Sequence, residues 1–144
     1  MTHELPVLDT RAITMRSGDM DAVGHLNNTY YFRYLEQVRI DWLNGLGYGI
    51  EPEGIGPVLA STSCAFRKQL TYPATLDITI ELEKLGRSSL KLRHHFYRQD
   101  DPGVVYASAE VLLVWVDYKA EKSVPIPDGI REAIERSLPA AGTD

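Results

Sequence analysis

The segment 30–46 is apolar around almost its whole circumference when it is drawn as a helix. A central stripe of large side chains repeats at helical spacing, and further apolar side chains widen that stripe beyond one face. Because polar residues leave only a narrow side, we expect the rest of the chain to enclose this helix almost completely. The stripe is Tyr31, Leu35, Val38, Trp42 and Leu46; the flanking apolar residues are Tyr30, Phe32, Tyr34, Ile40 and Leu43; the polar side is Arg33, Glu36, Gln37, Asp41 and Asn44.

After residue 56 the apolar residues recur at every second position, which is typical of β-strands. Short turns at 86–87 and 100–103 separate the last three predicted strands, so we expect these strands to pair antiparallel. The predicted strands are 12–16, 58–70, 76–83, 90–97 and 104–116. A lead-in at 1–10, a helix end at Gly45 and Gly47, a loop at 49–56, a closing helix at 127–138 and a frayed end at 140–144 complete the prediction.

The predicted fold is α+β, with a five-stranded antiparallel sheet wrapped around a central α-helix and a short C-terminal helix. A chain of 144 residues is most simply a single domain, over 1–144. An open sheet of this kind has edge strands that need covering, so we also predict a homo-oligomer.

Composition and charge narrow the classes of function. The net charge is −5 at pH 7, and no basic cluster is longer than Arg67-Lys68, which disfavours a nucleic-acid partner. The single cysteine, Cys64, excludes an intrachain disulfide and a multi-cysteine zinc site, and it fits a reducing compartment. No apolar segment approaches the ~20 residues of a membrane span, and residues 1–6 lack a signal-peptide pattern. We therefore expect a cytoplasmic protein without a membrane span.

A dense polar motif over 18–28 comes directly before the predicted helix. It places Asp19, Asp21, His25 and the pair Asn27-Asn28 within a few residues of one another. Asn is a good helix N-cap, so we expect the helix to begin near Asn27. Because a helix N-terminus offers free amides and a partial positive charge, a carboxylate delivered there suits an anion or acyl site.

The motif and the helix after it resemble the hotdog-fold acyl-CoA thioesterases of the 4-hydroxybenzoyl-CoA thioesterase type. The matching segments are 18–21, 24–31 and 35–39, and the order of elements agrees over about residues 10–135. Within this family the chain looks most similar to the branch that acts on long-chain fatty acyl-CoA. The resemblance implies a hotdog fold and an enzyme that hydrolyses acyl-CoA thioesters with no cofactor and no metal ion.

The resemblance also implies roles for individual residues. The family's catalytic carboxylate, a general base or a nucleophile, falls on Asp21, and its oxyanion donor, a main-chain amide, falls at about Asn28. The turn 86–89 resembles a segment that contacts coenzyme A, which makes Arg87 and Ser88 candidate ligands of CoA. Family members bury the acyl group between subunits, so the active site of a dimer or tetramer is expected at a subunit interface.

The polar motif also has readings that need no catalysis. Asp21 could be a turn residue that binds nearby main-chain amides, and Asp19 competes with it as the reactive carboxylate. His25 is assigned to the site as an orienting residue, with a proton shuttle as the alternative. Asn27 is assigned to the site as the helix cap, and Asn28 is expected to act through its main chain.

Three further residues are assigned to substrate or CoA binding. Tyr31 lies on the helix just after the motif, Ser61 in the long strand 58–70, and Arg67 near the end of that strand. The alternatives stay open, because hydroxyls are common on strands and a basic pair such as Arg67-Lys68 can simply solvate a strand end.

Four other chemically suggestive residues favour structural roles. Glu36 falls on the polar side of the helix, as a solvated or interface charge, although another hotdog branch uses a carboxylate inside this helix. Cys64 reads as a small buried hydrophobe rather than a nucleophile. His94 and His95 lie on opposite faces of one strand and cannot chelate one metal ion.

Three rival functions remain for this sequence. One is an enoyl-CoA hydratase or dehydratase on the same fold, and the second is a thioesterase that acts on acyl carrier protein. The third is a non-catalytic acyl-CoA binding protein, which would bind without releasing thiol. The acyl chain and the size of the oligomer are also left open.

Overall fold

The central feature of the fold is one long helix that packs against a sheet. The computed structural model describes residues 4–47 and 54–138. The predicted loop at 49–56 therefore lies mostly outside the described residues, and the predicted frayed end at 140–144 lies wholly outside them. The elements are β1 (Val7–Thr14), a 3₁₀ turn (Ser17–Asp19), α1 (Asn28–Gly45), β2 (Ile55–Phe66), β3 (Thr75–Leu85), β4 (Ser89–Arg98), β5 (Ala107–Asp117), β6 (Lys122–Ser123) and α2 (Asp128–Arg136).

Helix α1 begins where the sequence predicts. The Asn27 side chain accepts hydrogen bonds from the Thr29 amide at 3.0 Å and from the Thr29 hydroxyl at 2.9 Å, so it is the N-cap. The helix ends at Gly45, and Gly47 takes a φ of +89°, a left-handed conformation that glycine adopts without strain. The predicted start, cap and end of this helix are therefore confirmed.

The five long strands form one antiparallel sheet in the order β1-β3-β4-β5-β2, and the short strand β6 adds to β5. The strands β3, β4 and β5 follow one another as a meander, which confirms the antiparallel pairing expected from their short turns. Strand β5 is paired on both sides, as its nearly continuous apolar sequence suggests.

One face of the sheet packs against α1. Side chains alternate along β3, β4 and β5 between a buried inner face and a partly exposed outer face. The inner face and the buried stripe of α1 belong to the same hydrophobic core. Its fully buried members include Leu35, Val38, Leu76, Ile78, Ile80, Leu90, Leu92 and Phe96.

Within a single chain the sheet does not enclose α1 as completely as predicted. Arg33, Glu36 and Gln37 are exposed, and Phe32, counted among the apolar flanks of the helix, keeps 37% of its surface accessible. Conversely, the charged Arg39 is buried. The sheet has only five long strands and covers one side of the helix, so the opposite side faces outward.

The boundaries of the first two strands differ from the prediction. Strand β1 spans Val7–Thr14 instead of 12–16, because the polar residues at its start pair with β3 through their main chains and Asp9 forms an ion pair with Arg11 at 2.7 Å. Residue 15 leaves the ladder: the Met15 amide donates to the Ala74 carbonyl, and its side chain enters the core.

Strand β2 spans Ile55–Phe66 instead of 58–70. It ends at Phe66 because the amides of Arg67 and Lys68 both donate to one acceptor, the Tyr106 carbonyl, at 3.0 Å. At its start it includes Pro57, which a strand tolerates when only one of its sides is paired. The remaining predicted boundaries are within three residues of the observed ones.

Helix α2 fastens the turn between β3 and β4. Its side chains Ile130, Ala133 and Ile134 are buried. The Arg131 guanidinium donates to the carbonyl of Gly86 at 2.6 Å and to that of Arg87 at 3.2 Å. The turn is thereby held against the end of the sheet that α2 covers.

A histidine lies fully buried on the inner face of β4. His94 Nδ1 lies 2.7 Å from the Thr79 carbonyl, and Nε2 has no hydrogen-bond partner among the described residues. Burial lowers the pKa of His94 from 6.5 to about 4, and the Arg39 charge adds to this shift, while the bond to the carbonyl opposes it. The folded protein therefore holds this imidazole neutral.

The buried histidine makes stability depend on pH. Below pH 6.5 the unfolded chain binds a proton at this histidine, whereas the folded chain binds it only near pH 4. The free energy of unfolding therefore decreases as the pH is lowered from 6.5 to about 4. Between pH 7 and pH 5 this one group should lower the free energy of unfolding by about 2 kcal/mol. Urea denaturation at the two pH values measures the difference.

The variant His94→Asn should be less stable at pH 7 but should lack that part of the pH dependence. Leu92→Ala is the matched control, because it removes a fully buried side chain from the same face of β4 without removing a titratable group. Its free energy of unfolding should lie below that of the wild type by the same amount at pH 7 and at pH 5. An unchanged pH difference in His94→Asn would contradict this account.

Candidate active site

The polar loop before α1 folds as a small hairpin. Met20 pairs with Leu26, and the Asp21 amide donates to the His25 carbonyl at 2.7 Å. The chain reverses at Gly24, whose φ of +83° is a conformation that other residues rarely adopt. This hairpin carries the side chain of Asp21 to the N-terminal end of the helix.

The two oxygens of the Asp21 carboxylate have different surroundings. Oδ1 accepts hydrogen bonds from the amides of Val23 at 2.9 Å and His25 at 3.1 Å. Within residues 4–47 and 54–138, Oδ2 has no hydrogen-bond donor. The bonds expected of a turn residue are therefore present, and they leave one carboxylate oxygen free to react.

Five of the predicted site residues line one open cavity of about 640 Å³. The cavity lies between the hairpin, the first turn of α1 and the end of β2. It is lined by Asp21, His25, Asn28, Tyr31 and Arg67, together with Val23, Leu26, Phe66, Lys68 and Gln69. Its walls combine carboxylate, imidazole, amide and cationic groups with apolar surface, as a site for an acyl group with a polar carrier requires.

The main-chain amide of Asn28 is free to bind a ligand. Asn27 caps the amide of Thr29, and the Asn27 carbonyl accepts from the amide of Tyr30. In the described part of the chain the Asn28 amide finds no acceptor, as expected for the first residue of a helix. Asn28 lines the same cavity as Asp21, and the partial positive charge of the helix N-terminus adds to the attraction of its amide for an oxyanion.

Tyr31 forms an apolar wall of this cavity. Only 3% of its surface is accessible, and its ring packs against Phe66 and Phe96 with centroid distances of 4.7 Å and 5.5 Å. Burial raises the pKa of Tyr31 to about 12, with a smaller contribution from Cys64, so the phenol stays neutral near pH 7. A neutral aromatic wall suits an apolar acyl group.

Positive charge flanks the opposite side of the cavity. Arg67 and Lys68 follow directly on β2, and their amides are tied to Tyr106. The Lys68 ammonium lies over the Tyr106 ring, 5.2 Å from its centroid. Both residues line the cavity, so their side chains are candidates for binding a phosphate of a bound carrier.

Three predicted ligands lie elsewhere in the single chain. Ser61 lies in the middle of β2 opposite Leu112 and borders a separate cavity beside Lys91. Arg87 and Ser88 lie in the turn between β3 and β4. That turn is about eight strand residues, or about 25 Å, from the end of the sheet where the Asp21 cavity opens. One chain therefore does not bring them to Asp21.

The two competing carboxylates face different surroundings. Asp19 lies on another cavity, beside Arg16 and Arg33, and its Oδ2 accepts a hydrogen bond from the Tyr34 hydroxyl at 2.5 Å. Only Asp21 shares a cavity with the free amide of Asn28. Sequence reasoning missed the pairing of Asp19 with Tyr34, since residues fifteen positions apart carry no local signal of contact.

Sequence reasoning also missed Phe66 and Gln69 as lining residues. Both follow from the early end of β2, whereas the prediction continued that strand to residue 70. Leu70 is fully buried, and its carbonyl accepts from the amide of Leu26, which is itself a lining residue. The strand pattern alone does not reveal where the chain leaves the sheet.

The residues expected to be structural show no sign of chemistry. Burial raises the pKa of the Cys64 thiol to about 11, so it stays protonated near neutral pH. Glu36 is exposed on the outer side of α1, away from the Asp21 cavity. Among residues 4–47 and 54–138, no three His, Cys, Asp or Glu side chains are grouped to hold a metal ion, and no helix there is both long and apolar enough to cross a membrane.

This chain is similar to known proteins in both sequence and structure. Among solved structures, the PA2801 protein from Pseudomonas aeruginosa is 41% identical, with a TM-score of 0.85, over 89% of this chain and 98% of that one. Gentisyl-coenzyme A thioesterase BH1999 is 26% identical, with a TM-score of 0.77, over 88% of this chain and 99% of its own.

The long-chain acyl-CoA thioesterase FadM from Escherichia coli (strain K12) is 26% identical over 128 residues, which span 88% of this chain and 96% of FadM. Residues 15–134 match the family described as the thioesterase-like superfamily. The resemblance and the hotdog fold predicted from the sequence are thereby confirmed: this chain belongs to the thioesterase-like superfamily.

Proposed function

We propose that this protein hydrolyses acyl-CoA thioesters, with Asp21 as the catalytic carboxylate and the Asn28 amide as the oxyanion donor. The observation that carries this proposal is that Asp21, whose carboxylate has a free oxygen, and Asn28, whose helix N-terminal amide is unpaired among the described residues, line the same cavity. Family membership supports thioester hydrolysis, and relatives named as CoA thioesterases support CoA as the carrier.

The chemistry needs few groups beyond these two. As a general base, Asp21 takes a proton from water, and the water oxygen bonds to the thioester carbon. The negative charge that develops on the carbonyl oxygen is stabilised by the Asn28 amide and the helix dipole. The carbon–sulfur bond then breaks, and CoA leaves as a thiol after it receives the proton. Asp21 could equally attack the carbon itself and form an anhydride, which water then cleaves.

His25 and Asn27 fit supporting roles. The His25 main chain pairs with Asp21 in both directions: its carbonyl accepts from the Asp21 amide, and its own amide donates to Asp21 Oδ1. Its side chain also lines the cavity, where it can orient water or the thioester. Asn27 acts through the helix cap, which fixes the first turn and so the direction of the Asn28 amide.

The acyl group is best identified by a substrate panel. Thiol release should be measured with short, long and aromatic acyl-CoAs, and with the best acyl group carried on acyl carrier protein. Tyr31 and Phe66 offer an apolar wall that suits aliphatic and aromatic chains alike. Binding without thiol release, or hydration of an enoyl-CoA, would contradict the proposal.

We also propose that the active protein is a homo-oligomer with its site at a subunit interface. Strand β2 is an edge strand, and its apolar residues Ile55, Val58, Leu59 and Phe66 are 38–49% exposed. An edge of this kind is covered in natural proteins, and pairing with a second β2 about a two-fold axis would cover it.

Such pairing would also bring the distant CoA ligands to the site. In an antiparallel pair of β2 strands, the Phe66 end of one chain lies beside the Ile55 end of the other. Ile55 pairs with Asp117 near the turn that holds Arg87 and Ser88. The turn of the partner subunit would then approach the Asp21 cavity, where its cationic side chain could bind a CoA phosphate.

Two broader predictions remain part of this proposal. The described residues share one sheet and one core, which supports residues 1–144 acting as a single domain. The cytoplasm is the proposed compartment, because a lone, half-buried cysteine suits reducing conditions.

The variant Asp21→Asn tests the carboxylate. The amide oxygen can still accept the bonds from Val23 and His25, so the hairpin should persist while the base is lost. We expect kcat to fall by at least about 100-fold, as measured by CoA thiol release. Glu36→Gln is the matched control, since it neutralises an exposed carboxylate of α1 and should leave kcat unchanged. Near wild-type turnover of a folded Asp21→Asn on every acyl-CoA that the parent cleaves would refute the assignment.

The variant Asn28→Pro tests the main-chain amide. Proline lacks the N–H and is well tolerated at the first position of a helix, and the preceding residue, Asn27, already has the extended conformation that proline requires. We expect kcat to fall by about 100-fold, which corresponds to the loss of one oxyanion donor. The variant Asn28→Ala keeps the N–H, so its kcat should stay near that of the wild type. Equal rates for the two variants would rule out the amide as donor.

Complementation tests the shared site. Arg87→Ala should raise KM for acyl-CoA but not for the same acyl group on a short thiol that lacks the nucleotide. Co-expression of Arg87→Ala with Asp21→Asn should create mixed oligomers in which one site has both native residues, so activity with the wild-type KM returns. If both residues served one chain's own site, no native site could form and no such activity would return.

A further inference from the structure

We propose that Tyr34 and Asp19 are positioning residues, whose mutual hydrogen bond holds the hairpin so that Asp21 faces the amide of Asn28. The inference rests on the proposed function of Asp21. It gives a role to two polar groups, the Tyr34 hydroxyl and the Asp19 carboxylate, whose residues do not line the Asp21 cavity.

The bond joins the base of the hairpin to the second turn of α1. The Tyr34 hydroxyl donates to Asp19 Oδ2 at 2.5 Å. Tyr34 is 7% exposed and belongs to the core, so its ring is fixed by packing, while Asp19 is only half-buried. Burial raises the pKa of Tyr34, and the bond to Asp19 raises it further, so the phenol keeps its proton and remains the donor.

From Asp19 a short ladder of main-chain bonds leads to Asp21. The Asp19 carbonyl accepts from the amide of Asn27 at 3.1 Å, and Met20 pairs with Leu26. The next contact joins the Asp21 amide to the His25 carbonyl. The reactive carboxylate is therefore two residues from a side chain that is tied to the helix.

Beyond this bond, the hairpin is held by Met20, which packs against the core, and by His25, which pairs with Thr71. Residues 21–24 are exposed, and the tip contains Gly24. The other strand of the hairpin has its own anchors, since the Leu26 amide donates to Leu70 and Asn27 caps α1. The strand that carries Asp21 has the Tyr34–Asp19 bond as its side-chain tie to the helix. Loss of this bond should let the carboxylate drift from the amide it works with, and a shift near 1 Å is enough to slow an enzyme strongly.

Four variants separate positioning from other roles. Tyr34→Phe removes the donor, and Asp19→Ala removes the acceptor; each should lower kcat by about 10- to 100-fold with KM within about twofold of wild type. Asp19→Asn keeps an acceptor oxygen for the Tyr34 hydroxyl and should retain most of kcat. Tyr30→Phe is the matched control, because the Tyr30 hydroxyl makes no hydrogen bond within the described ranges although the ring lies 6.3 Å from that of Tyr34.

Repeating the substitutions in an Asp21→Asn background distinguishes a positioning role from a purely structural one. If Tyr34 acts through Asp21, Tyr34→Phe should slow the wild type but should change the residual rate of Asp21→Asn by less than about twofold. Circular dichroism and thermal melting establish that each variant is folded. Asp19→Asn keeps the test decisive if Asp19→Ala does not fold.

Three results would overturn the inference. The first is a wild-type kcat in folded Tyr34→Phe. The second is that Tyr34→Phe slows the Asp21→Asn background by the same factor as it slows the wild type. The third is that Asp19→Asn is as slow as Asp19→Ala, which would mean that the charge of Asp19 matters and not its hydrogen bond. The proposed function fails separately: it fails if Asp21→Asn alone keeps wild-type turnover. If Asp21→Asn is inactive and Tyr34→Phe is not slowed, only the positioning role is wrong.

Discussion

The burial of one face of α1 against the inner face of the sheet is the interaction on which the rest of the structure depends. Leu35, Val38 and Trp42 are almost completely buried there, and each such side chain contributes about 1.5–3 kcal/mol by leaving water. A helix held this firmly cannot turn its first residue toward another acceptor. The amide of Asn28 is left without a partner by helix geometry, and Asn28 is a lining residue of the Asp21 cavity.

Burial also decides which groups of this protein can carry charge. Tyr31, Cys64 and His94 all lie in or beside the core. Desolvation raises the pKa of Tyr31 and Cys64 and lowers the pKa of His94, so each group stays neutral near pH 7. The charged groups of the cavity lie instead on exposed chain: Asp21 on the hairpin and Arg67 after β2. The Asp21 carboxylate, which we propose as the reactive group, thus lies on exposed chain, where hydrogen bonds from the Val23 and His25 amides hold it.

The sequence was enough to predict the features that depend on local pattern. The stripe of α1, the Asn27 cap and the alternation along β3 and β4 are periodic or nearest-neighbour signals, and all were confirmed. The features that the sequence did not reveal are those that distant residues decide. The start of β2 at Ile55 depends on its being an edge strand that tolerates Pro57. The separation of Arg87 from Asp21, and the Tyr34–Asp19 bond, are facts of tertiary structure without any trace in spacing.

Two features of the single chain have no explanation within it. One is the exposed apolar edge of β2, and the other is the distance of about 25 Å between the Asp21 cavity and the turn that carries Arg87. A two-fold axis beside β2 would account for both, because it covers the edge and reverses the direction of the partner sheet. The reversal would place opposite ends of the two sheets side by side, so that one chain would supply the carboxylate while its partner would supply the distant cation. With such an axis, the packing of α1 would position the carboxylate and the amide within each chain. Pairing at the edge strand β2 would bring the partner's cation to the CoA carrier.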